Sequence, residues 1–247
     1  MANMYGLVGY PLSHSFSKKY FEDKFLREGL AEHNYELFEI RDTNEILKLI
    51  ENNPNLIGLN VTIPYKESIL PLLDDFDETA KLVGAVNVIK IQNNVLTGYN
   101  TDYFGFESSL LNWLPPRLEN LSAIVLGTGG AAKAVEAVLK FNKIPYDLIS
   151  RTKTANTLTY AELNASSLIA DRNLIINTTP LGMAPNIDSC PDISYSQITN
   201  GHYVFDLIYN PSTTKLLSKA SVQGAVVKNG LEMLQLQAEK SWEIWTA

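Results

Sequence analysis

The sequence predicts an α/β protein of two domains, the first a mostly parallel α/β layer and the second a Rossmann-type nucleotide-binding fold. Two observations carry this prediction. Short β-branched runs alternate with amphipathic helical stretches, a rhythm that implies parallel pairing with helices packed on the sheet. A glycine turn also sits between a strand and a helix midway along the 247 residues, where that rhythm restarts.

In order along the chain, "MYGLVGY" (4–10) reads as a strand. In 15–30, Phe16, Tyr20, Phe21 and Phe25 recur at helical spacing. "YELFEI" (35–40) alternates as a strand does, and "TNEILKLIENN" (43–53) is expected to be a helix capped by Thr43. "LIGLNVTI" (56–63) is a strand stopped by Pro64. In 86–99, two apolar runs flank Asn93-Asn94, predicting a hairpin and thus an antiparallel pair. A helix over 101–114 is ended by Pro115-Pro116, and a fresh strand opens at Ser122. "SAIVLG", "GAAKAVEAVLKF" and "YDLIS" then give strand, helix and strand; 173–179 and 202–209 are further buried strands. The stretch 230–245 is an amphipathic helix, with Leu231, Leu234, Ala238, Trp242 and Trp245 expected on one face. The first domain is assigned residues 1–101 and 230–247, the C-terminal helix packing back on it, and the second 102–229.

Bulk properties exclude several function classes. A net charge of −7 argues against a nucleic-acid binder. One cysteine permits no intrachain disulfide, and three scattered histidines have no zinc spacing, so no metal is expected. The first residues lack the pattern of a signal peptide, and no apolar run reaches the roughly 20 residues that span a bilayer. A cytoplasmic protein without membrane contact is the expectation.

In "VLGTGGAAKAV", Gly127 permits a tight turn, Gly129 lets a pyrophosphate approach, and Ala132 allows close helix–strand packing. Gly130 and Ala131 open the helix, whose free N–H groups suit phosphate. The bland alternative is an ordinary turn. The next strand ends in Ser150-Arg151-Thr152, where an NAD-preferring fold offers a carboxylate. A guanidinium suits a 2′-phosphate, so NADP is the expected cofactor; a surface arginine is the alternative.

"NVTIPYK" (60–66) poses the question of Lys66: a solvated helix-start residue, or a proton carrier. The ordered series of motifs resembles the shikimate dehydrogenase family over essentially the whole chain. "GYPLSHSFS" (9–17) is similar to its substrate loop, "NVTIPYK" and "GYNTDYFG" (98–105) to its catalytic segments, and "GAVN" (84–87) to a further substrate contact. "INTTPLGM" (176–183), "DLIYNPSTTKLL" (206–217) and "NGLEMLQLQA" (229–238) resemble its nucleotide-side and closing segments.

The resemblance implies reversible reduction of 3-dehydroshikimate with NADPH. Lys66 and Asp102 are then the catalytic pair, and Ser15, Ser17, Asn60, Thr62, Asn87, Tyr209 and Gln237 the substrate contacts. Thr178 and Gly230 join Gly127, Gly129, Gly130, Ala131, Ser150, Arg151 and Thr152 on the cofactor side. The polar set fits a small ring bearing a carboxylate and three hydroxyls. Other readings of the same residues are a helix cap for Ser15 and Ser17, the first turn of a helix for Asp102, a strand end for Asn60 and a packed aromatic for Tyr209. Thr154 stands where the family often has a second basic residue, with Lys153 beside it, and Glu232 where a glycine is common. Rival functions are an NAD-using quinate/shikimate dehydrogenase and a binding protein that has lost turnover. The expected assembly is a monomer or homodimer.

Overall fold

The structure, a computed structural model, describes residues 2–12, 16–115 and 120–247. The chain divides into two compact units, Met1–Thr101 with Gln237–Ala247, and Asp102–Leu236.

The first unit contains β1 (Asn3–Gly9), α1 (Phe16–Arg27), β2 (His33–Glu39), α2 (Glu45–Asn52), β3 (Leu56–Val61), β4 (Asp75–Phe76), α3 (Glu78–Val83), β5 (Val88–Gln92) and β6 (Val95–Tyr99). Its six strands lie in the order β2-β1-β3-β5-β6-β4. β1 is parallel to β2 and β3, whereas β5 is antiparallel to β3 and β6. The predicted hairpin forms: Asn93 and Asn94 take φ of 53° and 62°, the left-handed pair that a two-residue turn requires. Alternation along β1 sends Tyr5 and Leu7 to one sheet face, and Met4 and Val8 to the other. Both faces are covered, as a parallel sheet demands. One core holds Ile46, Leu59, Ile69 and Ile89; the other holds Phe21, Phe25, Tyr35, Ala238 and Trp245.

Thr43 does not cap α2. The N-cap is Asn44 without a side-chain bond, and Glu45 Oε1 instead accepts from the N–H groups of Arg41 and Asp42, both at 2.9 Å. The acidic side chain in the first turn thus fastens the chain that enters the helix, while the Glu45 and Ile46 N–H groups donate to the Asp42 and Thr43 carbonyls.

α4 (Thr101–Trp113) opens on the last residue of the first unit's main segment. The second unit continues with β7 (Ala123–Leu126), α5 (Gly130–Phe141), β8 (Tyr146–Ser150), β9 (Leu158–Thr159), α6 (Tyr160–Asn164), α7 (Leu168–Asp171), β10 (Leu174–Asn177), β11 (Tyr203–Asp206), α8 (Lys215–Val222), β12 (Val226–Asn229) and the first turns of α9 (Leu231–Thr246). Its sheet runs β12-β11-β10-β7-β8-β9, parallel throughout. Ile124, Leu126, Ile149, Ile175 and Val204 form its core with Leu216 and Leu217 of α8.

The buried stripe of α9 differs from the expected one. Leu231 is exposed, and the buried residues are Met233, Gln237, Ala238, Ser241 and Trp245. Two polar side chains therefore lie on the inward face. Trp245 lies flat on β3, where a Cβ on Gly58 would come within 2.1 Å of its indole nitrogen. The indole N–H donates to the Ile89 carbonyl at 3.0 Å. That contact ties the C-terminal segment to the first unit.

Candidate functional site

In the first unit, polar side chains expected at the substrate converge through hydrogen bonds. Ser15 lies outside the described residues, as does His14. Ser17, in the first turn of α1, is hydrogen-bonded to the Tyr35 hydroxyl. That hydroxyl donates to Asn60 Oδ1 at 2.7 Å, and burial pushes the phenol's pKa far up, so it stays protonated. Asn60, at the end of β3, donates through Nδ2 to Ser241 Oγ at 3.1 Å. Asn87 follows α3 and is bound on both sides of its amide by Thr101: Oδ1 accepts from the Thr101 N–H at 2.7 Å, and Nδ2 donates to Thr101 Oγ1 at 3.0 Å. Gln237 Oε1 lies 3.4 Å from Thr101 Oγ1. Ser17, Asn60, Asn87 and Gln237 thus belong to one cluster.

Tyr35, Thr101 and Ser241 link this cluster and were not singled out from the sequence. Ser241 and Thr101 are buried to 0% and 1% exposure. A signal did exist in α9, where Ser241 falls one turn after Gln237 on a stripe that otherwise turns apolar. Thr62 is half-buried beside this cluster's strand; its N–H donates to the Val8 carbonyl at 2.9 Å.

Lys66 and the residues before Asp102 are anchored on the same short segment. The Val86 N–H donates to the Lys66 carbonyl at 2.8 Å, and Asn100 Nδ2 donates to the Ala85 carbonyl at 2.8 Å. Asn87 then holds the N–H of Thr101. Lys66 is half-buried, and Asp102 is 8% exposed in the first turn of α4, a position where the free N–H groups favour a carboxylate.

In the second unit the glycine turn joins β7 to α5 under tight steric limits. Gly127 takes φ of 107°, and a Cβ there would lie 2.6 Å from Thr178 Oγ1, so only glycine fits. Thr178 in turn donates to the Leu126 carbonyl at 2.7 Å, locking the ends of β7 and β10 together. Gly129 is the N-cap of α5 and has no side-chain cap; a Cβ there would meet nothing within 4 Å. The position of a Gly129 side chain is thus open, next to Gly130 and Ala131 at the start of the helix, a terminus of the kind that suits phosphate.

At the end of β8, Arg151 and Thr152 are exposed, and Ser150 Oγ accepts from the Thr152 N–H at 3.2 Å. Lys153 pairs with Glu162 at 2.5 Å, and Glu162 is also the return arm of the α6 capping box. Gly230 is explained by packing: a Cβ would strike the Leu207 carbonyl oxygen at 2.0 Å. Glu232 binds Lys228 and accepts from Ser109 at 3.0 Å. Burial alone would raise its pKa; the Lys228 and Ser109 bonds outweigh that and hold it below the ordinary carboxylate value.

Tyr209 is half-buried, three residues beyond Asp206, and burial raises its phenol pKa. Asp206 is fully buried and was not anticipated. Burial raises its pKa, although it accepts from Thr214 Oγ1 at 2.6 Å, Asn177 Nδ2 at 2.9 Å and the Ile208 N–H at 3.1 Å. These bonds fix the loop that carries Tyr209. Among the described residues no group of three or more His, Cys, Asp or Glu side chains could hold a metal ion, and no helix is long and apolar enough to cross a membrane.

The family model for the shikimate dehydrogenase substrate-binding domain matches residues 7–89. The shikimate dehydrogenase (NADP(+)) of Clostridium beijerinckii is 41% identical, across 98% of this chain and 91% of that protein. The structure of Thermus thermophilus shikimate 5-dehydrogenase in complex with NADP(H) and shikimate superposes with a TM-score of 0.86 at 27% identity, covering 100% of this chain and 94% of that one. A quinate dehydrogenase from Corynebacterium glutamicum, in complex with NAD, gives a TM-score of 0.87 at 25% identity, covering 99% and 94%. With more than 30% identity sustained over nearly its full length, the chain belongs to the shikimate dehydrogenase family.

Proposed function

We propose that this protein is an NADP-dependent shikimate dehydrogenase, reversibly interconverting 3-dehydroshikimate and shikimate. The observation that carries this is full-length similarity to enzymes of that name, joined in one chain to a glycine turn followed by Arg151. Residues 1–101 with 230–247 are assigned to the substrate and 102–229 to the nucleotide.

When bound, NADP supplies the hydride acceptor or donor. Gly127, Gly129, Gly130, Ala131 and Thr178 would hold its pyrophosphate side, and Ser150, Arg151 and Thr152 its 2′-phosphate; Gly230 completes the cofactor side. Forming a carbinol from a ketone also requires a proton on oxygen, and the reverse reaction requires its removal. Lys66 is assigned that transfer, with Asp102 orienting its side chain. The bonds from the segment Ala85–Asn87 to the Lys66 carbonyl and to Asn100 and Thr101, which lead into Asp102, support the pairing. Ser15 and Ser17 are assigned to the substrate carboxylate, and Asn60, Thr62, Asn87, Tyr209 and Gln237 to the ring. A site that pairs each hydroxyl rejects analogues lacking one, because its own polar groups are left unsatisfied. A cytoplasmic setting suits a chain with a single cysteine.

Purified protein given shikimate is expected to reduce NADP⁺ with at least about tenfold higher kcat/KM than NAD⁺, since a charge-assisted phosphate contact contributes that much or more. Preference for NAD⁺, with quinate turned over as readily as shikimate, would replace this reading with that of a quinate dehydrogenase.

A further inference from the structure

Ser241 contacts none of the groups that would react, yet its hydroxyl decides how one assigned substrate residue is presented. A serine hydroxyl has one hydrogen. At Ser241 it goes to the Gln237 carbonyl one turn back, 2.8 Å away. Toward Asn60 the oxygen can therefore only accept, and Asn60 Nδ2 donates to it across 3.1 Å. The other end of the amide, Oδ1, accepts from the Tyr35 hydroxyl at 2.7 Å.

The amide of Asn60 is thus fixed in one of its two flipped orientations. Its second N–H faces the Asn87 carbonyl at 3.4 Å. The capacity left over is a lone pair on Oδ1. Ser241 Oγ also lies 3.3 Å from Thr101 Oγ1, so the same hydroxyl joins Asn60 to the start of α4. A fully buried serine on the apolar side of α9 has a physical reason in this arrangement.

We propose that Ser241 is a positioning residue. It holds the Asn60 amide so that what remains for the substrate is an acceptor for a ring hydroxyl. The inference rests on the shikimate reading of this site. Removing the hydroxyl leaves a buried amide donor without its acceptor, and the side chain then turns toward other partners.

The test is a double-substitution cycle on the full-length protein with NADP⁺. Ser241→Ala is expected to raise the KM for shikimate about tenfold, with kcat changed less than about threefold and nucleotide affinity, titrated by fluorescence, unchanged. In an Asn60→Ala background the same substitution should move that KM less than about twofold, because the group it acts through is gone. A hydroxyl that merely supports folding would instead lower Tm and have the same effect in both backgrounds. If Ser241→Ala fails to fold, Ser241→Cys leaves no cavity and offers a weaker acceptor, and should give the same coupling. Active wild type with a Ser241→Ala KM within about twofold, or with equal effects in both backgrounds, overturns this inference alone. Wild type that neither binds nor oxidises shikimate overturns the proposed function and this inference together.

Discussion

Arg151 and Lys153 leave the end of β8 two residues apart, and their charges are spent differently. Lys153 is committed to Glu162, whose carboxyl it holds down to about 2, assisted by the Thr159 N–H and hydroxyl. Arg151 stays exposed, close enough to Tyr160 for its charge to oppose the rise in that phenol's pKa. Lys153 is therefore no simple substitute for the second basic residue that Thr154 replaces. On the proposed reading, discrimination for the 2′-phosphate falls to Arg151 and the Thr152 hydroxyl, both exposed at the end of β8. Arg151→Leu is expected to weaken NADP⁺ binding about 10–100-fold while leaving NAD⁺ within about twofold, since a charge-assisted hydrogen bond contributes about 1.5–3 kcal/mol. Parallel fluorescence titrations with the two nucleotides check this; equal loss for both would assign Arg151 to the fold instead.

At the scale of elements, α1 and α9 are clamped by charge. Glu239 accepts from the Tyr20 hydroxyl and from Lys24 at 2.7 Å, while Lys24, nearly buried, also pairs with Glu28 at 2.9 Å and lies over the Trp242 ring. Burial alone would raise the Glu239 pKa. The Lys24 and Tyr20 bonds outweigh it and hold the carboxyl below its ordinary value of 4.5. A carboxyl with a lower pKa in the folded state stabilises that state above its unfolded pKa, and this stability is lost as pH falls through the folded value. Glu239→Gln should therefore cost about 1 kcal/mol at neutral pH, the partial exposure of the pair keeping the cost small. The gap between variant and wild type should close as the buffer is taken below the ordinary carboxylate value of 4.5 and on through the lower folded value. Urea unfolding across that range measures it, and a gap independent of pH would remove Glu239 from the acid response.

Much of this scale was legible in advance. The parallel strands announced themselves as apolar runs, and the hairpin as Asn93-Asn94. The six-residue α3 was missed although its punctuation is local: Asp77 caps it by accepting from the Ala80 N–H, and Gly84 closes it at φ of 68°. Six residues are too few for a helical period to emerge. β4 and β9, two residues each, have no sequence signature because only their neighbours define them. On α9 the expected apolar face treated burial as a matter of hydrophobicity. Gln237 and Ser241 are inward because each finds a partner there.

For the whole molecule, the candidate site is assembled from distant sequence. Tyr35, Asn60, Thr101 and Ser241 stand in one hydrogen-bonded series within the first unit. Residues so far apart cannot be linked by spacing, so motif order could nominate Asn60 and Gln237 but not the side chains that aim them. The glycine turn behaved oppositely. Its form is set by local backbone geometry, so the tight turn at Gly127 and the helix start at Gly129 were readable from eleven consecutive residues.

In the proposed reaction Lys66 moves the proton when shikimate and its ketone interconvert. Its most direct test compares wild type with Lys66→Met, measuring shikimate-dependent NADP⁺ reduction alongside nucleotide affinity. The expected result is a fall in kcat of about 10²–10⁴ with nucleotide affinity unchanged, the range typical of losing a general acid–base group. A Lys66→Met variant that turns over shikimate as fast as wild type would contradict it.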